Sequence, residues 1–350
     1  MSNIRSLEAS ALRAIRYAKQ NNTDVYISDS GGVDSVVITH LGRRCGIVRA
    51  HFFNTGVETK ENIKFMKSKK NVTWHTPKQT FKDFCFEHGF PIGSKEVTNG
   101  ISEITNVFKN LNKNNVTLAF KRLTGSNCLG KNDTEIRTRY SLPLWAFEAI
   151  VDNLPITSKC CNVLKKDIRD KINKYAITGE MSEESMLRKT NFKIKGLFQK
   201  NKVTPIANWT KEDVWAYIRK YNLKYSKIYD LGAKRTGCIQ CDTSIYFRVK
   251  NGEDFMALEK KLYPKQYKAS LKLKHKTGVT FFETVKAVEN IMLYPNSRKA
   301  HSKKLEMMLS LKKVLNEENM EYNKVILGTL IAYSRKQIAK AKVGHQTGMF

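Results

Sequence analysis

Residues 24–46 read "DVYISDSGGVDSVVITHLGRRCG", and this stretch decides the fold. The short apolar run "VYIS" is typical of a buried strand, and "VDSVVITHLGRRCG" has the apolar spacing of a helix that ends at Gly46. The alternation continues with a strand in "IVRAHFFN", a helix in "TGVETKENIKFMKSKK" and a strand in "VTWHT". Because β-α-β-α-β units with short joints form parallel sheets, we expect an α/β fold, a Rossmann-like parallel sheet flanked by helices.

The turn between the first strand and its helix carries residue types that bind phosphate. Gly31 and Gly32 have no side chains, so backbone N–H groups can close around phosphate oxygens at a helix N-terminus. Ser30 and Ser35 add hydroxyl donors, and Asp34 can orient the loop or help to hold Mg²⁺. Ligands of such sheets bind at the carboxyl ends of the strands. The competing interpretation is a tight turn in which a serine only caps the helix.

The composition is that of a folded and strongly basic chain. Its 350 residues include 62 Lys and Arg against 32 Asp and Glu, a formal charge of +30, and 41% are apolar. Such a charge attracts phosphates, so DNA or RNA is a candidate partner, and a general Lys-rich composition is the alternative. No apolar run is long enough for a membrane span, and charges stand where a signal peptide needs apolar residues. We therefore expect a cytoplasmic protein whose cysteines are thiols or metal ligands.

Two further segments organise the rest of the chain. Residues 93–157 are polar and weakly periodic, which predicts an insertion, a long loop with some helix, that faces a substrate or partner. Residues 251–350 combine helical apolar spacing with many cations, which predicts a basic helical C-terminal region. We expect a nucleotide-binding domain over residues 1–250 followed by this extension. The extension is either a helical cap on the core or a docking surface for nucleic acid or a protein partner.

Four cysteines form two pairs. Cys160 and Cys161 are adjacent at a predicted helix start, and Cys238 and Cys241 have the Cys-x-x-Cys spacing. Each pair alone could be buried filler, a redox dithiol or half of a zinc site. Together they supply four thiolates, as an iron–sulfur cube or a structural zinc requires. Adjacent helical residues do not share a face, so the pair needs a bent helix start to converge, which favours a large cluster over a compact zinc site.

The motif "SGGVDS" resembles the pyrophosphate-binding (PP) loop of the family that includes ATP pyrophosphatases and the adenylyl-sulfate and phosphoadenylyl-sulfate reductases. The segment "FFNTGVETKEN" is similar to that family's nucleotide-contacting Asp-Thr-Gly segment. Thr55 and Gly56 match it, Asn54 replaces the Asp, and Glu58 follows. The resemblance implies an adenine nucleotide alpha-hydrolase-like fold that binds ATP or an adenylyl sulfate nucleotide.

The later motifs resemble the iron–sulfur type of these reductases. Cys-Cys-x-x-x-Lys, Gly…Ser-x-x-Arg, Trp-Thr-x-x-Asp-Val-Trp and Gly-Cys-x-x-Cys occur in the same order. The resemblance implies that the four cysteines hold a [4Fe–4S] cluster and that Lys165 stabilises it. It also places Ser185 and Arg188 in the nucleotide-side loop, whereas Met181 stands where the family has an Arg. Asp34, Lys165 and Arg188 are the candidate catalytic residues.

Reductases of this family attack the sulfonucleotide with a cysteine near the C-terminus, whereas this sequence has no cysteine after Cys241 and ends "KVGHQTGMF". Without that nucleophile we expect an iron–sulfur ATP pyrophosphatase that forms AMP and pyrophosphate with Mg²⁺, for sulfur transfer or nucleic-acid modification. One alternative is a sulfonucleotide reductase that uses an external thiol. Separately, Cys128 in a polar loop is a candidate for a substitute nucleophile within the chain. The other is a non-catalytic nucleotide- and cluster-binding subunit of a defence or mobile-element complex.

Overall fold

The computed structural model describes residues 4–126, 141–172, 174–234, 236–239, 241–242, 245–252 and 257–346. The strands are Val25–Ser28 (β1), Ala50–Phe53 (β2), Val72–His75 (β3), Tyr175–Ile177 (β4), Phe198–Gln199 (β5) and Lys202–Val203 (β6). The α-helices are Ile4–Asn21 (α1), Val33–Arg44 (α2), Lys60–Ser68 (α3), Phe81–His88 (α4), Lys95–Lys109 (α5), Val116–Thr124 (α6), Leu144–Val151 (α7), Asp167–Asp170 (α8), Met186–Lys195 (α9), Lys211–Lys220 (α10), Ile245–Asn251 (α11), Ala257–Leu262 (α12), Pro264–Leu271 (α13), Phe281–Leu293 (α14), Ser297–Glu317 (α15) and Lys324–Gln346 (α16). A π-helix at Asn162–Lys166 precedes α8, and a 3₁₀-helix at Ser182–Glu184 precedes α9.

The described strands form one six-stranded sheet in the order β3-β2-β1-β4-β6-β5. Every neighbouring pair is parallel except β5 with β6, and Ile27 of β1 lies opposite Ala50 on one side and Ile177 on the other. This confirms the predicted α/β class. The chain leaves β1 toward β2 in one direction and returns to β4 in the other, so the strand order reverses beside β1. In parallel sheets a ligand crevice opens at such a reversal, outside the carboxyl ends of the strands.

Helices α1, α2 and α10 cover one face of this sheet. The buried side chains that meet there include Ile15, Val37, Leu41, Trp209 and Tyr217. Burial of such apolar side chains stabilises the fold by about 1.5–3 kcal/mol each. The apolar spacing of α2, visible in the sequence, therefore serves to fix the helix on β1 and to hold its N-terminus at the carboxyl end of that strand.

A buried carboxylate ties the same three helices together at their polar ends. Glu8 of α1 accepts hydrogen bonds from Arg44 of α2 at 2.5 Å, and from Lys220 and Tyr221 at the end of α10 at 2.8 and 2.6 Å. Burial alone would raise the pKa of Glu8, but the bonds from Lys220, Tyr221 and Arg44 hold that pKa at about 2. The carboxylate stays ionised at neutral pH and keeps α2 in place.

The chain forms two compact units. Residues 1–81 and 160–240 make the first, which contains the sheet, and residues 82–159 and 241–350 make the second, which is helical. This division differs from the predicted boundary at residue 250, because α6 and α7 pack on α15 within the second unit. The predicted insertion at residues 93–157 accordingly contains α5, α6 and α7, with apolar faces that belong to that helical core. Within the described residues, no helix has both the length and the apolar character that a membrane crossing requires.

Candidate functional site

The loop after β1 is held from behind by a buried acid, Asp29. Its Oδ1 accepts the Gly31 N–H at 2.9 Å, and its Oδ2 accepts Thr39 Oγ1 at 3.0 Å and Lys69 Nζ at 2.5 Å. The side chain of Asp29 is fully buried and that of Lys69 is 12% exposed. Gly31 has φ +78°, the left-handed conformation that glycine adopts without strain. A buried ion pair therefore fixes the turn that the sequence predicted.

The two predicted serine donors contact each other. Ser30 Oγ and Ser35 Oγ are 2.8 Å apart, and the Ser30 N–H also donates to Ser35 Oγ at 3.1 Å. The Gly32 N–H makes a long bond of 3.4 Å to Ser30 Oγ. The serines thus shape the loop internally, and a phosphate would have to exchange with hydroxyl partners to reach the loop amides.

Tyr229, which comes near the end of the first unit in sequence, caps the N-terminus of α2. Tyr229 OH accepts the Val33 N–H, at the start of α2, at 3.1 Å. A Cβ added to Gly32 would lie 3.2 Å from Thr236 Oγ1 and 3.4 Å from Tyr229 OH. Burial, followed by the nearby charge of Asp34, raises the pKa of Tyr229, so its hydroxyl keeps its proton. A neutral hydroxyl therefore stands at the position where a helix N-terminus binds anions.

Asp34 lies in the first turn of α2, against the end of β4. A Cβ on Gly179 would be 3.0 Å from the Asp34 carbonyl, which is tighter than most Cβ contacts, so glycine favours this close approach of the segment after β4 to α2. Burial, and then the charge of Glu184, raises the pKa of Asp34 to about 6, against the opposing effect of Lys211 and Arg188. In the part of the chain that the structure describes, the buried Asp34 Oδ1 has no hydrogen-bond donor. An ionised oxygen in that setting calls for a cation or a proton.

Of the two residues predicted from the resemblance, Arg188 lies close enough to Asp34 for its charge to act on the pKa of that carboxyl. Ser185 caps α9 by accepting the Arg188 N–H at 3.2 Å, and the Arg188 guanidinium pairs with Glu184. The Met181 N–H donates to the same Glu184 carboxylate at 3.0 Å. The loop after β4 thus brings one cation and one carboxylate to the loop after β1, at the reversal of strand order.

Two further buried polar atoms, Asn62 Oδ1 and Thr178 Oγ1, lie beside this crevice. Asn62 donates from Nδ2 to the Ser30 carbonyl at 3.1 Å, and its Oδ1 would lie 2.1 Å from a Cβ on Gly31. Asn62 Oδ1 and Thr178 Oγ1, which directly follows β4, lack hydrogen-bond partners among the described residues. Buried polar groups are normally paired, so unpaired ones collected around one crevice indicate a polar ligand.

Known proteins of one family are similar to this chain. The family model of the phosphoadenosine phosphosulfate reductase domain matches residues 24–244, which is more than half of the chain. The chain belongs to the phosphoadenosine phosphosulfate reductase domain family. The resemblance seen in the sequence motifs is thereby confirmed, and the match spans the loop after β1 and all four paired cysteines.

Curated relatives of this family match over shorter segments. Adenosine 5'-phosphosulfate reductase from Oceanobacillus iheyensis is 37% identical over 92 residues, which are 25% of this chain and 38% of that protein. The reductase of the same name from Bacillus cereus strain Q1 is 36% identical over 87 residues, 23% of this chain and 37% of its own. Each match therefore covers less than two-fifths of the relative's length. Among solved structures, phosphoadenylyl-sulfate reductase from Candida auris in a phosphate complex aligns with 68% of this chain and 96% of its own, at 15% identity and a TM-score of 0.37.

The family's second segment, after β2, adjoins one of the cysteines. Thr55 Oγ1 donates to Glu58 Oε1 at 3.2 Å and lies 3.4 Å from Cys238 Sγ. Glu58 and Cys238 also pair through an isolated antiparallel bridge. Gly56 has φ +82° and its N–H bonds the Asn54 side chain at 3.0 Å, so the Asn that replaces the family's Asp shapes this turn.

Electrostatic effects place Cys161 and Lys165 beside the same glutamate. Burial raises the pKa of Glu58; the charge of Lys165 opposes this and Cys161 adds to it. Cys161 directly precedes the π-helix, a rare widened turn that is frequent at functional sites. This irregularity occurs where the sequence required a bent helix start. Cys161 and Lys165 are therefore within electrostatic range of Glu58, and Cys238 pairs with it directly.

The other two paired cysteines belong to different units. Cys160 is buried in the first unit, and Cys241 belongs to the second unit and is half-buried. Among the described side chains, no group of three or more His, Cys, Asp and Glu is arranged to hold a metal ion. The [4Fe–4S] ligand set therefore stays a prediction. Cys128 lies outside the described residues.

Several contributors to the crevice were missed by reasoning from sequence. Asp29 stands inside the quoted loop motif, but its role depends on Lys69, which comes 40 residues later. Tyr229 is 196 residues from Val33, and Asn62 and Thr178 carry no local signal beyond their position after a strand or in a helix. The segments around Asn62 and Thr178 follow the carboxyl ends of β2 and β4, and this position is the one feature from which the sequence could have indicated them as part of a ligand site.

Proposed function

We propose that this chain binds an adenine nucleotide at the carboxyl ends of β1 and β4 and cleaves ATP with Mg²⁺ into AMP and pyrophosphate. The observation that carries the proposal is Asp34, a half-buried residue at the start of α2 whose buried Oδ1 is unpaired among the described residues and whose pKa is about 6. The nucleotide's phosphates would lie along the loop of residues 30–35. Attack of water on the α-phosphorus would give AMP directly, and attack of an acceptor would give an adenylated acceptor that releases AMP when a sulfur nucleophile displaces it; pyrophosphate leaves in both cases.

The charges around Asp34 favour a metal-bound triphosphate. Glu184 stands close enough to Asp34 for its negative charge to raise the pKa of Asp34. A phosphate beside them would be repelled unless a cation or a proton intervened. Mg²⁺ prefers oxygen ligands and usually joins one or two carboxylates to substrate phosphates. Asp34, with Glu184 nearby, would hold such an ion, which would supply charge neutralisation on the leaving pyrophosphate.

The chain's own groups would position the substrate. Exchange of a phosphate oxygen for Ser30 Oγ at the Gly32 N–H replaces only a 3.4 Å bond. Tyr229 keeps its proton and stands at the first amide of α2, so its O–H can donate to a phosphate. Arg188, which follows the cap residue Ser185, would contribute positive charge beside Asp34. Asp29 and Lys69 would keep the loop in its bound shape, which lowers the entropic cost of binding.

A second candidate is the reduction of a sulfonucleotide with an external thiol. It is favoured by the relatives, which are named adenosine 5'-phosphosulfate reductases. The same crevice would hold the adenylyl group, and Asp34 would then be protonated or paired with Arg188. A third candidate, a non-catalytic nucleotide-binding subunit, would keep the nucleotide affinity without turnover.

Both enzymatic candidates include a [4Fe–4S] cluster on Cys160, Cys161, Cys238 and Cys241, with Lys165 beside it. Thiolates are the ligands that iron–sulfur clusters use in proteins. Anaerobic purification followed by iron and sulfide counting tests this assignment independently of activity. We expect four irons per chain, and a loss of iron in Cys238→Ser; an iron-free protein that still binds nucleotide would remove the cluster from the proposal.

One experiment separates the three functions. The full chain is incubated with ATP and Mg²⁺, with or without nucleic acid, and in parallel with adenylyl sulfate and a dithiol. We expect AMP and pyrophosphate from ATP, and loss of this turnover in Asp34→Asn. Glu212→Gln, which removes an exposed acid from the first turn of α10, is the matched control and should keep full activity. Sulfite release without pyrophosphate would instead select the reductase, and ATP binding without either product would select the binding subunit.

A further inference from the structure

The segment that follows the candidate site is exposed, basic and partly apolar. We define the basic arm as residues 185–200, which comprise α9 and β5. It contains Arg188, Lys189, Lys193, Lys195 and Lys200 and no Asp or Glu. Arg188 pairs with Glu184, whereas no ion pair is formed by the four lysines with any described carboxylate. A cluster of unpaired cations without an intervening acid is typical of a surface that meets a polyanion.

The arm also exposes apolar and aromatic side chains. Met186 and Ile194 of α9 are 72% and 75% exposed and lie on one helix face, two i,i+4 steps apart. Lys189 and Lys193 form the neighbouring row. Few of the arm's side chains are buried, since α9 packs mainly on the short 3₁₀-helix before it. Large apolar side chains left in water at these positions indicate a contact surface rather than a solvated helix.

An aromatic pair closes the far end of the arm. Phe198 of β5 meets Tyr17 of α1 edge-on, with ring centroids 5.0 Å apart, and both rings remain about half exposed. Exposed aromatic rings beside cations are the elements with which proteins bind single strands, because unpaired bases stack on the rings while cations contact the phosphates. A duplex buries its base faces within the stack, and an acidic protein has no bases, so neither of them offers base faces to these rings.

We propose that the basic arm binds a single-stranded nucleic acid and leads it toward the crevice at Asp34. The arm begins at Ser185, whose neighbours Glu184 and Arg188 act on Asp34, and α9 extends about 15 Å from there. This inference deepens the proposed function by naming the class of acceptor, and it rests on that function only for the reaction. Binding to the arm itself can be measured without nucleotide.

The test is binding of a fluorescent mixed-sequence 20-nucleotide single strand to the full chain over a series of salt concentrations. We expect the triple variant Lys189→Gln/Lys193→Gln/Lys195→Gln to bind much more weakly and the salt-dependence slope to fall by about 2, at about 0.7 per lost phosphate contact. The matched control, Lys312→Gln/Arg335→Gln/Lys336→Gln, removes the same charge from exposed positions of the second unit. It should change the slope by less than half as much.

A second pair of variants tests base stacking. Phe198→Ala should weaken binding about tenfold with an unchanged salt slope, while Tyr294→Ala, an exposed tyrosine of the second unit, should have no effect. Equal losses in both charge variants, or equal competition by polyglutamate or duplex DNA, would overturn the proposal. Each variant is also titrated with an ATP analogue. If the parent chain binds the single strand but not the ATP analogue, the proposed function is refuted, whereas the proposal that the basic arm binds a single strand is still supported.

Discussion

Replacing Asp34 by Asn should make the protein more stable while it abolishes turnover. Asp34 is ionised at neutral pH although burial and Glu184 raise its pKa from 3.8 to about 6. Each pKa unit is worth about 1.4 kcal/mol, so the ionised carboxylate destabilises the fold by about 3 kcal/mol. Loss of a negative charge from the first turn of α2 offsets about 0.5–1 kcal/mol of this. We therefore expect a net gain of about 2 kcal/mol at pH 8.

The pH dependence of this gain identifies its cause. Because the folded pKa lies above the unfolded one, the favourable contribution of Asp34 is fully present below about pH 4 and is lost as pH rises through about 6. The stability difference between Asp34→Asn and the parent should accordingly be largest above pH 7. It should shrink by about 1.4 kcal/mol between pH 8 and pH 5.

Urea unfolding followed by tryptophan fluorescence measures this difference, since three of the four tryptophans, Trp74, Trp209 and Trp215, lie in the first unit. Glu212→Gln is the control, because it removes an exposed first-turn acid and should lower stability slightly at all of these pH values. A destabilised Asp34→Asn, or a gain that does not depend on pH, would refute the reasoning, because the carboxylate would then be paired in the folded chain.

Three further changes test the loop that supports the crevice. Lys69→Met leaves the buried Asp29 carboxylate without its cation and should lower the free energy of unfolding by about 3 kcal/mol, measured in urea. The double variant that also carries Asp29→Asn should recover at least half of this loss. A loss under about 1 kcal/mol in the single variant would contradict a buried ion pair. Gly31→Ala places a Cβ 2.1 Å from a neighbouring amide oxygen at φ +78°, and should lower the melting temperature more than Gly232→Ala, which has φ +99° and open space around it. Equal losses in the two glycine variants would show that the loop has room. Tyr229→Phe removes the hydroxyl at the start of α2 and should weaken binding of an ATP analogue about fivefold in calorimetry, and unchanged affinity would exclude contact with phosphate.

The sequence alone determined the class of fold and the location of the nucleotide loop. Strand, turn and helix preferences act within about ten to twenty residues, so "VYIS", the two glycines and the apolar spacing after Val33 were sufficient to predict a parallel sheet with a loop at its carboxyl edge. The order of the motifs was likewise enough to indicate the family, because motif spacing needs no coordinates.

Only the tertiary structure decided how the crevice is charged and closed. It paired Ser30 with Ser35, the donors expected for phosphate, and it brought the Tyr229 hydroxyl to Val33 across 196 residues. It also set Asp34 against Gly179 at the reversal of strand order. These contacts join segments that are remote along the chain, and their partners are selected by packing on a common sheet. Local propensity has no access to that selection, because a buried charge acquires its pKa from whichever neighbours the folded chain places around it.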